Sequence, residues 1–302
     1  MIGGYLSASQ ETLPAGAQRP SFHGGVDVVA VNVTVTDSAR HYVTNLGPQD
    51  LLIFEDGRQQ EPTFFQKTGV PLALTLALDT SASMEPNLKL AQEAAVGFVR
   101  ELAPPDIASL IDFNSRILVR QGFTTDHEVL ERAIKQTKAG GSTALYNAVY
   151  IALRELSKTI RDENPAERRR RAIVVLSDGE DTSSQVTFDE LSDLAARSDA
   201  TIYAIGLLGG EAPRKGFQEL QGGQFVLRRL AQQTGGRTFF PLAAKELARI
   251  YGDIKAELSS QYLLGYESNN PRRDGQFRQI SIRVQRPGAV ARTRAGYYAP
   301  SK

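Results

Sequence analysis

Two hydrophobic periodicities divide the chain. Val29, Val31, Val33 and Val35 alternate with Ala30, Asn32, Thr34 and Thr36, the period of two of a strand with one buried face. LLIFEDGRQQEPTFFQK follows, with Asp56-Gly57 at a natural hairpin turn between two strand-like runs. From Pro71 the pattern changes. LALTLALD is almost continuously apolar, as a parallel strand covered on both faces requires. Leu88, Ala91, Ala95, Phe98, Val99 and Leu102 then recur at helical steps until Pro104-Pro105. IASLIDF and RILVRQGF lie too close together for a helical crossover and predict antiparallel neighbours. Helices over residues 126–138 and 145–161, the buried strand AIVVLSD, a helix over 188–198 and the strand ATIYAIG follow. A Gly-rich connection from Leu207 to Gln224 leads to the helix FVLRRLAQQT, the short strand RTFF and the closing helix AKELARIYGDIKAELSS. This alternation predicts an α/β fold: a doubly wound, mostly parallel sheet with helices on both faces. After Ser260 the period of two returns in Ile280, Ile282 and Val284, with Pro287-Gly288 as a turn.

The organisation read from these patterns has four parts: a lead-in over 1–24, a β flank over 25–70, the α/β domain over 71–258 and a second β flank over 259–302. The lead-in is rich in Gly, Pro, Ser and Ala without periodicity and reads as disordered. Neither flank alone has enough alternating strands to bury a core, because isolated hairpins are marginal in water. The flanks are therefore expected to pair into one small all-β, sandwich-like domain, with Val29 to Val35 facing Ile280, Ile282 and Val284.

Composition narrows the function classes. The 302 residues are 41% hydrophobic and 23% charged, with a net charge of +1, values that give no reason to expect nucleic acid or an anionic membrane surface as a partner. The absence of cysteine excludes disulfides, thiolate metal sites and cysteine nucleophiles. No run approaches the roughly 18 apolar residues of a membrane span. The first residues carry neither a basic region nor a long apolar one, and read as a lead-in or as the remnant of something longer.

Three segments place oxygen-bearing side chains just after a buried strand or at a helix start: Asp79-Thr80-Ser81-Ala82-Ser83, Gly140-Gly141-Ser142-Thr143, and Ser177-Asp178-Gly179-Glu180-Asp181. In an open α/β sheet, loops beyond the carboxyl ends of the strands meet where the strand order reverses. Carboxylate and hydroxyl oxygens are hard donors suited to Mg²⁺, Ca²⁺ or Mn²⁺. The long connection from Leu207 to Gln224 follows a central strand and is expected on this same face, as the most mobile part of the domain.

The DxSxS run, the Thr of the GGST loop and the SDG run resemble the metal-ion-dependent adhesion site of von Willebrand factor type A (VWA) domains, with Asp79, Ser81, Ser83, Thr143 and Asp178 at the matching positions. The resemblance covers roughly residues 70–258. It implies a Rossmann-like sheet of about six strands with one antiparallel edge. It also implies one Mg²⁺, with Mn²⁺ or Ca²⁺ as substitutes, completed by an Asp or Glu carboxylate of a protein partner. The flanks, VNVTVTDSARHYVTNLGPQDLLIFEDGRQQ before the domain and YLLGYESNNPRRDGQFRQISIRV with RAGYY after it, resemble the VWFA-related proteins typical of Acidobacteria. That group is mostly exported, so a periplasmic, cell-surface or secreted location is the expectation.

The leading functional expectation is thus a non-enzymatic, metal-dependent, adhesion-type module. Its alternatives are an Mg²⁺-dependent hydrolase or phosphotransferase on the same loops, and a structural envelope protein whose metal site is vestigial. His23, His41 and His127 lie far from the three loops in sequence, which speaks against a Ser–His–Asp hydrolase. GGSTALYN lacks the ending of a phosphate-binding P-loop, and a general base is wanting apart from Glu180 and Asp181. Simpler roles stand beside these. Asp79 alone would serve as a helix cap, Glu180 and Asp181 as solvated loop charges, and Arg168 to Arg171 as a solvated helix end. The Asn32-Val33-Thr34 acceptor pattern falls within a predicted strand and is read as chance.

Overall fold

The computed structural model describes residues 28–67, 69–161, 169–207 and 217–301; the expected lead-in over 1–24 lies outside them. Four strands come first: β1 (Val28–Thr36), β2 (Leu51–Glu55), β3 (Arg58–Gln60) and β4 (Pro62–Lys67). Asp56 and Gly57, both with positive φ (47° and 78°), turn β2 into β3, as a two-residue hairpin of right-handed strands requires.

The α/β domain follows. Its strands are β5 (Leu72–Asp79), β6 (Ile107–Phe113), β7 (Ile117–Thr124), β8 (Arg170–Ser177), β9 (Thr201–Gly206) and β10 (Thr238–Phe239). Its helices are α1 (Leu88–Arg100), α2 (His127–Lys135), α3 (Leu145–Arg161), α4 (Phe188–Arg197), α5 (Phe217–Gln233) and α6 (Leu247–Ser260). The sheet runs β10-β9-β8-β5-β6-β7, parallel throughout except for the antiparallel edge β6–β7. Successive residues of a strand point to opposite faces, and β5 uses this fully. Leu72, Leu74, Leu76 and Leu78 pack with Phe98, Val99, Leu130 and Ile254 on one face. Ala73 and Ala77 lie on the other face, with Leu145, Val149 and Ile173. Full burial of each such leucine contributes about 1.5–3 kcal/mol.

The chain then returns to β structure with β11 (Tyr262–Glu267), β12 (Phe277–Val284), β13 (Val290–Arg292) and β14 (Gly296–Tyr298). These join the first four strands in two sheets, β13-β1-β11-β4 and β14-β12-β2-β3. Each sheet mixes both flanks: Val31 stands opposite Leu264, and Ile53 opposite Ile282. Val29, Val31, Val33, Val35, Leu51, Ile53, Leu264 and Ile280 share one core, with Ile282 and Val284 packed against it. The flanks therefore form one sandwich around a common interior.

A buried ion pair ties the flanks together. Glu55 and Arg278 are almost inaccessible, 3.4 Å apart. Tyr266 and Tyr297 donate their hydroxyls to Glu55 Oε2 at 2.8 and 3.0 Å, and Ser268 donates to Oε1 at 2.5 Å. Burial, followed by the Glu55 charge, holds the Tyr266 hydroxyl above its ordinary range.

Two expectations change here. Residues 217–224, read as part of a long connection, belong to α5. The Gly222-Gly223 pair of that Gly-rich connection lies inside the helix, where Gly223 approaches the backbone of Gly179. The rest of that connection, residues 208–216, lies outside the described residues. The basic run is not a solvated helix end over its described part. Arg170 and Arg171 begin β8: Arg170 donates to the carbonyls of Val70 and Leu258, and Arg171 pairs with Asp199 at 2.6 Å.

Candidate functional site

The three oxygen-rich loops do meet. β5 lies between β8 and β6, so the chain order reverses there and a crevice opens beyond the strand ends. Asp79 closes β5 and Ser177 closes β8, both fully buried. Gly140 N donates to the Thr80 carbonyl at 2.8 Å, and Ala82 N to the Gly141 carbonyl at 3.0 Å, joining the first loop to the second. Thr182 N and Ser183 N donate to the Thr143 carbonyl at 2.9 and 3.0 Å, joining the third to the second. Gly179 (φ +86°) sits so near α5 that an added Cβ would lie 2.6 Å from the Gly223 carbonyl. Only glycine fits both that angle and that approach.

The side chains close the arrangement. Asp79 Oδ1 accepts from Ser81 N at 2.8 Å, and Oδ2 from the Ser177 hydroxyl at 2.6 Å. The Ser81 and Ser83 hydroxyls lie 3.0 Å apart, and Ser83 donates to Asp178 Oδ2 at 2.8 Å. Asp178 Oδ1 accepts from Glu180 N at 3.2 Å. Thr143 is buried and held through its backbone, its N–H donating to Thr182 Oγ1 at 3.0 Å. Burial pushes the Asp79 carboxyl up to about 6, the bonds from Ser177 and Ser81 pull it down, and the nearby Asp178 charge adds to the rise.

All five sequence-selected residues, Asp79, Ser81, Ser83, Thr143 and Asp178, therefore stand on the converging loops, but the metal centre expected of them is corrected. Among the described residues no group of three or more His, Cys, Asp or Glu side chains is placed to hold an ion. Two carboxylates approach one another at the crevice, and each of their oxygens accepts from a donor of the chain itself. With the Mg²⁺ site go the Mn²⁺ and Ca²⁺ substitutes, the metal-dependent adhesion function, the Mg²⁺-dependent hydrolase, and the protein partner that was to offer the ion an Asp or Glu carboxylate. Separately, no helix among the described residues is long and apolar enough to cross a membrane.

One buried acid of the crevice escaped the sequence reading. Asp112 is a buried acid inside the apolar strand β6. It accepts from Thr80 Oγ1 at 3.0 Å and pairs with Arg120 at 2.7 Å. The signal was there: a lone charge in an otherwise apolar strand needs a partner. Asp181, read as a solvated loop charge, accepts from Tyr146 N and from the Ser184 hydroxyl, and so caps the start of α3.

Comparison with known proteins agrees with this architecture. Residues 74–180 match the family model of the von Willebrand factor type A domain, and the chain contains a VWA-like domain. A UPF0353 protein of Mycobacterium leprae is 24% identical over 213 residues, a stretch covering 63% of this chain and 61% of that protein. A Synechocystis protein is 31% identical over 141 residues, 45% of this chain and 32% of its own length. The chain thus spans less than two thirds of the length of these curated relatives. A von Willebrand factor type A structure from Catenulispora acidiphila superposes with a TM-score of 0.52 at 12% identity, covering 93% of this chain and 76% of that one. The PilB minor pilin from Streptococcus sanguinis gives 0.50 at 14%, covering 65% and 62%. At such identities the likeness is one of fold alone.

Proposed function

We propose that this chain is a non-enzymatic structural module of an exported protein, in which the crevice loops serve as a clasp. The observation that carries this reading is the run of contacts Ser177–Asp79–Ser81–Ser83–Asp178, in which the acidic and hydroxyl groups of two loops satisfy one another. A catalytic site needs a base or nucleophile held ready for substrate. Here the carboxylates are spent on loop geometry, and Asp181, one of the two candidate bases of the sequence, caps a helix. Export follows from the flank motifs, which resemble the VWFA-related group of Acidobacteria; these motifs supply strands of the sandwich.

The test is a screen of the purified chain against generic ester, phosphate-ester and peptide substrates, with Asp79→Asn as control. No turnover above that of the control is expected, and turnover that disappears in Asp79→Asn overturns the proposal. Fractionation of native cells tests the second half: recovery outside the cytoplasm is expected, and a cytoplasmic protein contradicts it.

A further inference from the structure

We infer that Glu257 is the latch that makes the α/β domain and the sandwich one mechanical body. Glu257 lies in the last turn of α6 and is fully buried. Its Oε1 accepts from the Tyr203 hydroxyl of β9 at 2.7 Å and from Thr34 Oγ1 of β1 at 3.5 Å, and Arg292 Nη2 of β13 stands 2.5 Å away. Arg237 Nη1, beside β10, stands 3.6 Å from Oε2, which makes no hydrogen bond. One carboxylate thus touches α6, the six-stranded sheet and two strands of the sandwich. Gln261 doubles the link, donating to the Tyr203 hydroxyl at 3.2 Å and to Thr34 Oγ1 at 3.4 Å. Arg292 extends it by donating to the Gly235 carbonyl at 3.0 Å.

The charges explain why this contact governs relative motion. Two guanidinium groups bear on one carboxylate, and separating the domains would take Arg292, the nearer of the two, away from a buried charge. That is the costly way to break an ion pair. The covalent path is short as well, since only Gln261 separates α6 from β11. A shift of α6 along its axis must pull β11, one of the two inner strands of its sheet. Glu257 acts here as a positioning residue: it holds α6 in register with the sandwich.

The chain has no cysteine, so Arg58→Cys and Lys89→Cys, both at exposed positions, one in the sandwich and one on α1, permit clean double spin labelling. With Glu257 intact, a single narrow distance distribution is expected, together with coincident unfolding transitions by secondary-structure and tyrosine probes. In Glu257→Gln the distribution should widen by about twofold and the transitions separate, as expected when a cooperative unit divides. Arg292→Met removes the sandwich side of the latch from a partly exposed position and should do the same. It carries the test if Glu257→Gln fails to fold. A broad distribution with Glu257 intact overturns the inference, as does a narrow one with coincident unfolding in folded Glu257→Gln or in Arg292→Met.

Discussion

Glu55→Gln tests whether the two flanks form one domain, because Glu55 comes from the first flank and its partners Tyr266, Ser268, Arg278 and Tyr297 from the second. The substitution preserves size but removes the charge opposite Arg278, whose side chain is 4% exposed. Stranding one member of a buried pair costs about 3–5 kcal/mol. Arg278 keeps Ser268 Oγ and the carbonyls of Asn270 and Arg272 as acceptors, which places the expected loss near the lower end, about 3 kcal/mol. With a guanidinium slope of about 5 kcal/mol per molar, the unfolding midpoint should fall by about 0.6 M. Circular dichroism of the denaturation series reads it. The double variant Glu55→Leu/Arg278→Met should recover much of the loss, because a matched apolar pair replaces the ionic one. The Tyr266 and Tyr297 hydroxyls, left without their shared acceptor, should keep about 1–2 kcal/mol of it. A single variant within about 0.5 kcal/mol of the parent, or a double variant worse than the single, would refute the reasoning, since surface changes stay within that range.

Other expectations follow from the same contacts. Gly179→Ala should lose about 2 kcal/mol or more by thermal unfolding, from the positive φ and the clash with Gly223; an unchanged transition contradicts the close approach. Ser83→Ala removes the donor to Asp178 and should lose about 1 kcal/mol, with faster amide exchange confined to the crevice loops; unchanged exchange there would count against the clasp. Glu131 is held down to about 2, first by the Arg100 hydrogen bonds and with help from Lys135. A lowered carboxylate stabilises above its unfolded value of 4.5 and ceases to do so as pH falls from there through about 2. Glu131→Gln should therefore lose up to about 1 kcal/mol at pH 7, as befits a surface pair. The difference should vanish in acid; a loss that grows as pH falls would contradict it.

The frame of the molecule was legible because it rests on periodicity. The apolar run of β5, the alternation of β1 and the closely spaced β6 and β7 each commit the backbone before any distant contact forms. What escaped depends on partners far away in sequence. Glu55 and Arg278 sit 223 positions apart, as do Thr34 and Glu257, and each charge read alone looks solvent-facing. Gly222 and Gly223 read as part of a Gly-rich connection because the backbone of Gly179 that Gly223 meets comes from another loop. At the crevice, spacing located Asp79, Ser81, Ser83, Thr143 and Asp178. It did not reveal whether their oxygens aim at a common point or at one another, since that turns on side-chain torsions and on the donors Ser177 and Glu180 supply.

That last distinction is open to direct measurement. Calorimetric titration of the purified chain with Mg²⁺, Mn²⁺ and Ca²⁺ in turn, alongside Asp79→Ala with circular dichroism as the fold control, reads it without reference to any partner. If the crevice carboxylates are held by the chain's own donors, the titrations show no saturable heat, and the thermal transition is the same with cation and with chelator. A saturable isotherm that disappears in a folded Asp79→Ala would contradict the account.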